Sequence, residues 1–424
     1  MTYKFSTICR RPTRHGWGRP IFRLMKPFRV SFLAASTDIT PQSILGRGIR
    51  PMRGQWQGRF GGYSHGELTI EIDEYDDHYA GRACVFEDNN DHSVYVAAFR
   101  TEDKGDHHRV IVRMQIQQYR DAVEVPRHVL ADTFPNVIFP THAEIDLKVL
   151  RKGLRATAIT RHDTKTLGTI SSLMTRGSAE RKSKLIADKK VRSWEKFKQM
   201  VGGMEHDRFI FRGQPVVNRL RTSFHRTNRR DLHLFQAVDI PQLHGIVTSK
   251  TRHYFDLRDN IQNAAFWNLL QHHGYPTPLL DWTNSPYVAA YFAFREKTQI
   301  APDPNRKIRI FMFDRAAWLN DFGQVYSVVN VKPHFSLLYP VALENPRALP
   351  QQAVCSITTV DDVEDYLDRC GKAANKTYLR VFELPYSERG SVLSELRLMG
   401  VAAGSLFPGV DGACEEMKLK NFHS

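Results

Sequence analysis

No apolar run in this sequence approaches the roughly 20 residues that a helix needs to cross a bilayer, so no membrane-spanning helix and no membrane partner are expected. Cysteine is sparse as well. The five that occur (Cys9, Cys84, Cys355, Cys370 and Cys414) lie far apart, with no Cys-x-x-Cys pair among them. That scatter speaks against a disulfide framework or a thiolate zinc site and fits reduced thiols in a cytoplasmic protein. Acids are the third shortage: 45 Asp and Glu stand against 60 Lys and Arg, leaving a net charge of +15. The motifs bring no cluster of several acids together, as two-metal chemistry would require, so a nuclease-type site is the least expected reading and no metal is expected. The surplus of cations favours anionic partners, nucleic acid or nucleotide phosphate, or else describes a solvated basic exterior. Charge alone does not separate these.

The residues that are present divide along the chain. At 424 residues, two or three domains are expected. Residues 1–52 are rich in Arg and broken by Pro and Gly, which reads as a basic, largely disordered arm; a transit segment or a misassigned start would give the same pattern. Over residues 53–160 the apolar residues alternate: Leu68, Ile70 and Ile72 in one run, then Val110, Val112, Met114 and Ile116 in another. Ile145, Leu147 and Val149 lead through Arg-Lys-Gly to Leu154, Ala156 and Ala158, a hairpin pattern. Period-two runs broken by polar turns predict antiparallel strands in a barrel or sandwich, with Trp56 and Phe60 on the opening strand and Gly61-Gly62 at its bend. This block is expected to bind a protein partner, or to be purely structural. Residues 161–192 are cationic with weak periodicity and predict a linker or short surface helix, open to nucleic-acid contact together with the arm.

From Ser193 to residue 424 the pattern becomes mixed α+β. Ser193 is placed to cap a helix that Gly202-Gly203 ends, and "RFIFRGQ" reads as a strand. "NIQNAAFWNLLQHHG" reads as a helix stopped by Gly274, and Ser285-Pro286 as the N-cap and first residue of the next helix. Strands and helices do not alternate strictly, so an α+β arrangement is expected rather than a doubly wound parallel sheet.

Three stretches stand out: "FIFRGQ" (209–214), "QHHGYPTPLLDWTNSPYVAAYFA" (271–293) and "GVAAGSLFPGVDG" (400–412). With "SWEKF" (193–197) and "SFHR" (223–226), they resemble the signatures of the FRG domain family over about residues 190–415. A second resemblance is to the layout of ADP-ribosyltransferases: a strand ending in aromatic-Arg-Gly, a Ser/Thr-bearing segment entering an apolar helix, and a late third element. It implies NAD as substrate for transfer of ADP-ribose or for glycohydrolysis, with a bacterial defence or toxin role by the family's modular habit. By that resemblance Arg212 steadies the nucleotide, Thr283 or Ser285 lines the nicotinamide side, and Glu344 or Gln351 fills the third place. Glutamine departs from the enzymes' usual glutamate there, and it balances a developing ribose cation poorly.

Physical chemistry supplies a parallel account of the same residues. Arg212 offers a permanently charged fork for phosphate, with Gly213 and Gln214 beside it on the strand. The helix entrance at Ser285 presents free amides and a positive dipole end to an anion. Asp281 is placed to orient Arg212 or accept from a ribose hydroxyl, Trp282 and Tyr275 to stack on a ring, and His273 to wall the pocket. Each has a plainer reading: an Arg212–Asp281 ion pair, helix caps at Thr283 and Ser285, and a core plug at Trp282. The alternative to an enzyme is a binding module that holds a nucleotide or nucleic acid without cleaving it.

Overall fold

The computed structural model describes residues 51–88, 93–118, 122–295, 305–330 and 332–422. Eight strands come first: β1 (Gly54–Gly62), β2 (Gly66–Glu74), β3 (Tyr79–Glu87), β4 (Ser93–Arg100), β5 (His107–Gln118), β6 (His142–Leu150), β7 (Gly153–His162) and β8 (Lys165–Thr175). Each pairs antiparallel with the next, and β8 returns to β1 at Phe60↔Ser172, closing a barrel. The alternating residues face inward. Leu68, Ile70, Ile72, Met114, Leu147, Leu154 and Met174 are all buried with Trp56 and Phe60 in one core. At the bend, Gly62 holds φ +143°, and a Cβ there would sit 2.1 Å from the Thr169 carbonyl oxygen, so only glycine fits.

Two boundaries differ from expectation. Strand β8 occupies much of the stretch read as a linker. Its inward set is Ile170, Ser172 and Met174, while Leu173 points out 63% exposed, so a buried serine and an exposed leucine hide the period. The remainder, 176–192, forms no helix. It is pinned to the sheet domain: Ser178 Oγ and Ser183 Oγ donate to the carboxylates of Asp362 and Glu364, and the Asp188 amide donates to the Val381 carbonyl. Of the expected arm, residues 1–50 lie outside the described residues. Met52 already belongs to the barrel, fully buried, its carbonyl accepting from the Trp56 indole at 2.9 Å.

The second sheet holds β9 (Phe209–Gln214), β10 (Leu279–Thr283), β11 (Lys307–Asp314), β12 (Phe335–Leu338), β13 (Ala353–Thr358) and β14 (Leu379–Pro385) in the order β12-β13-β10-β9-β11-β14. Every pairing is antiparallel. The architecture is thus α+β: an antiparallel barrel, then a mixed sheet-and-helix domain. Helices α1 (Trp194–Gly202), α2 (Asn260–His272), α3 (Pro286–Arg295), α4 (Val363–Ala374) and α5 (Arg389–Leu398) pack on this sheet. Apolar residues of α1, α3 and α5 share a core with β9, β11 and β14. Those of α2 share one with β10 and β13, and those of α4 pack among residues of the opposite face. Caps follow the sequence. Ser193 accepts from the Lys196 amide at the start of α1, and Gly274 takes φ +83° just past α2.

Barrel and sheet domain meet through buried polar contacts. Asp73, 1% exposed, accepts from the main-chain amides of Arg230 and Asp231 and from Arg229 Nε. Gln55 donates to the Thr359 carbonyl at 2.8 Å and accepts from the Asp361 amide at 3.1 Å. Asp361 in turn bonds Arg221 and Arg230. The barrel therefore anchors the arginine-rich segment 219–231.

Candidate functional site

Strand β9 is an interior strand, not the sheet edge that an arginine-bearing rim would need. Its pairing with β10 is limited to Phe211↔Thr283. Beyond that point the Arg212 side chain takes over: its Nη1 donates to the Asp281 main-chain carbonyl at 2.6 Å, standing where a ladder bond would otherwise form. The Nε of Arg212 has no partner among the described residues. Among the described residues no carboxylate lies within ion-pair reach of this guanidinium, so in place of the Arg212–Asp281 ion pair there is a bond to the Asp281 main-chain carbonyl. Burial lowers the Arg212 pKa, while Asp281 and then the Cys355 thiol, facing it across the gap, pull the other way.

Asp281 sits in a small polar chain. Its Oδ1 accepts from Gln271 Nε2 at 2.5 Å, and Gln271 Oε1 accepts from the Thr277 hydroxyl. Cys355, opposite Asp281 on β13, points its Sγ toward the same Oδ1 at 3.8 Å and accepts from Asn268 Nδ2. Burial pushes this thiol well up, so it stays protonated.

A partner that the sequence did not point to is Arg226. It ends the short turn Phe224–Arg226, which is bonded to the start of β10 through Ser223 and Thr277. Arg226 is exposed, and its guanidinium has no hydrogen-bond or ion-pair partner among the described residues. Partial desolvation, then the neighbouring Arg212 and Arg221 guanidiniums, push its pKa down to about 10. Arg212 and Arg221 give Arg226 a cationic surrounding, which favours an anion. The only signal for Arg226 and Gln271 in the sequence was their place at the ends of "SFHR" and "QHHGYPTPLLDWTNSPYVAAYFA"; Cys355, a neutral residue in an apolar stretch, reads as core.

The other expected residues disperse. Thr283 is buried, its hydroxyl donating to the Gln351 carbonyl at 2.7 Å and accepting from the Ser285 amide. Ser285 Oγ caps α3 by accepting from the Val288 amide at 3.3 Å. Gln351, also buried, spends its amide on the Leu406 carbonyl. This knot follows the end of β10, whereas the Arg226 turn is tied to its start. Glu344 caps the Arg252 and His253 amides and is not among the charges that face Arg212. Trp282 is a core residue, 2% exposed, bonded to Ser356 and packed on Phe313, and cannot stack on a ligand. Tyr275 stacks on Phe235 instead. His273 is exposed at the end of α2 and makes its cap with the backbone. Gly213 serves the helix rather than a ligand: a Cβ there would lie 1.9 Å from the Ala289 carbonyl oxygen. Gln214 is 5% exposed, on the β11 side of the strand opposite Arg309, its Oε1 unpartnered.

Among the described residues no helix is long and apolar enough to cross a membrane, and no three His, Cys, Asp or Glu gather as metal ligands would. No curated protein matches the chain. The stretch that carries β9, the Arg226 turn, α2, β10 and α3 does match a known family: residues 207–301 fit the model of the FRG domain.

Proposed function

We propose that the sheet domain binds a phosphate-bearing nucleotide where β9 and β10 part, with NAD the expected ligand. The observation that carries this reading is the Arg212–Arg226 pair: two neighbouring guanidiniums, neither with a carboxylate in ion-pair reach among the described residues. Such a pair is costly unless an anion joins it, and a phosphate or diphosphate accepts from both forks at once. The finer reading, transfer of ADP-ribose or hydrolysis of NAD, is supported by one carboxylate alone. Asp281, oriented by Gln271, is the group near Arg212 that can balance the cation left on ribose when nicotinamide departs with the bonding electron pair. Water or an acceptor nucleophile then adds to that carbon. Gln351 and Glu344 take no part in this scheme. A defence or toxin role follows only through that activity.

Incubation with NAD and assay of released nicotinamide separates the two. Release that is lost in Asp281→Asn supports the enzyme. Saturable NAD binding without release, weakened at least tenfold in Arg212→Lys, supports a binding module. If NAD and ADP-ribose both fail to bind at millimolar concentration in low salt, the nucleotide reading falls.

A further inference from the structure

A second site lies on the sheet domain, beside α2 and independent of the arginine pair. A cavity of about 170 Å³ opens between α2, the turn Phe235–Asp239 and the loop that carries Tyr326 to Val329. That is far above the roughly 10–15 Å³ that admits one water. Three of the side chains around it hold buried polar atoms with no hydrogen-bond partner: Gln236 Oε1, Asn263 Oδ1 and the indole Nε1 of Trp267. Trp267 is only 3% exposed, so its N–H has been taken out of bulk water without compensation. An unsatisfied buried group is destabilising, and three gathered at one cavity call for an occupant that satisfies them.

The backbone is shaped to bring these groups together. Asn263 and Trp267 are four residues apart on α2 and lie on one face of it. Gln236 is delivered by a π-helical turn, a rare widening of the helix that recurs at functional sites. Among the described residues no Lys, Arg, Asp or Glu lines the cavity, which suits a neutral occupant. Trp267 and Tyr326 supply aromatic surface, the second at the rim and 48% exposed.

We propose that this cavity binds a planar heterocycle that carries an amino group beside a hydrogen-bond acceptor. Two amide oxygens ask for two N–H donors, and one indole N–H asks for one acceptor. The amino edge of adenine presents that set, and so does the carboxamide of nicotinamide. The ring stacks on Tyr326 at the rim. Free bases carry no phosphate, so their binding here stands or falls separately from Arg212 and Arg226.

Calorimetric titration of the full chain with adenine, nicotinamide, unsubstituted purine and uracil tests the proposal. Adenine or nicotinamide is expected to saturate one site, and which of them does so identifies the source of the amino edge. Purine and uracil, which lack that edge, are expected to bind at least tenfold more weakly. Trp267→Phe keeps a ring and removes the N–H, and Asn263→Leu removes one acceptor; each is expected to weaken binding roughly tenfold. Tyr326→Ala lies at the rim, and its expected loss of affinity provides a variant that does not disturb the core. The proposal is overturned if neither adenine nor nicotinamide binds up to its solubility, leaving a cavity filled by water only. It is equally overturned if purine matches adenine, or if folded Trp267→Phe, Asn263→Leu and Tyr326→Ala bind as the parent does.

Discussion

The barrel and the sheet domain bury opposite chemistry. Inside the barrel, small residues at 83, 97, 143, 156 and 158 line an apolar space of only about 40 Å³, and the packing is almost entirely hydrocarbon. The sheet domain instead buries Arg219, Arg230, Arg309, Asp361 and Glu364, and keeps a polar cavity four times larger. A barrel interior shielded by its own wall needs only volume and alternation. A sheet that must hold an arginine segment against a neighbouring barrel, and leave part of its charge unneutralised, has to accept desolvation and compensate it bond by bond. The proposed ligand binding belongs to the sheet domain, the part that buries and compensates charge.

The largest break in that comparison is expected at Asp361. It pairs with Arg221 and Arg230 and is 6% exposed, so Asp361→Ala strands the buried Arg230 guanidinium and the half-buried one of Arg221. A loss of about 3–5 kcal/mol in denaturant unfolding is expected. A loss under about 1 kcal/mol would mean that the network is not structural. In the barrel, Leu147→Ala removes a fully buried side chain, and the expected loss is about 2–5 kcal/mol by the same measurement, through cavity formation alone. That loss should not vary with pH or salt, whereas the loss from Asp361→Ala should.

A smaller effect sharpens the boundary between the two halves. Glu71 points outward from β2 toward the sheet domain, bonded to Gln55. Burial, then the Asp231 charge, raises its pKa from 4.5 to about 8. The folded chain thus holds this proton where the unfolded chain has released it. The contribution of Glu71 is complete below about pH 4.5 and is lost as pH rises toward 8. The slope is at most about 1.4 kcal/mol per pH unit. Glu71→Gln should flatten stability between about pH 5 and 8; an unchanged slope would refute the assignment.

The same contrast explains what was legible in the sequence. The barrel announced itself in Leu68-Ile70-Ile72 and the Ile145–Ala158 hairpin, because a one-sided core imposes period two. Its last strand went unseen because Ser172 is buried and Leu173 is not. In the sheet domain the caps at Ser193, Gly274 and Ser285 were readable, since each rests on local backbone chemistry. Strand β10 was not read from its motif, and neither was the use made of its residues. Whether Trp282 stacks on a ligand or plugs a core depends on which strand lies opposite, and Val354 is 72 residues away. The influence of Arg212 on Arg226, 14 residues on, likewise depends on how the chain folds back, which no local pattern carries.

The central claim is that two neighbouring guanidiniums hold a phosphate where β9 and β10 separate. Arg226 is exposed and unpartnered among the described residues, so Arg226→Ala should leave stability within about 0.5 kcal/mol of the parent. The direct measurement is the NAD binding isotherm of the parent and of Arg226→Ala at two salt concentrations. The account predicts saturable binding that weakens with salt in the parent, and at least a tenfold loss with a shallower salt dependence in the variant. Equal affinity and equal salt dependence in both proteins would contradict it.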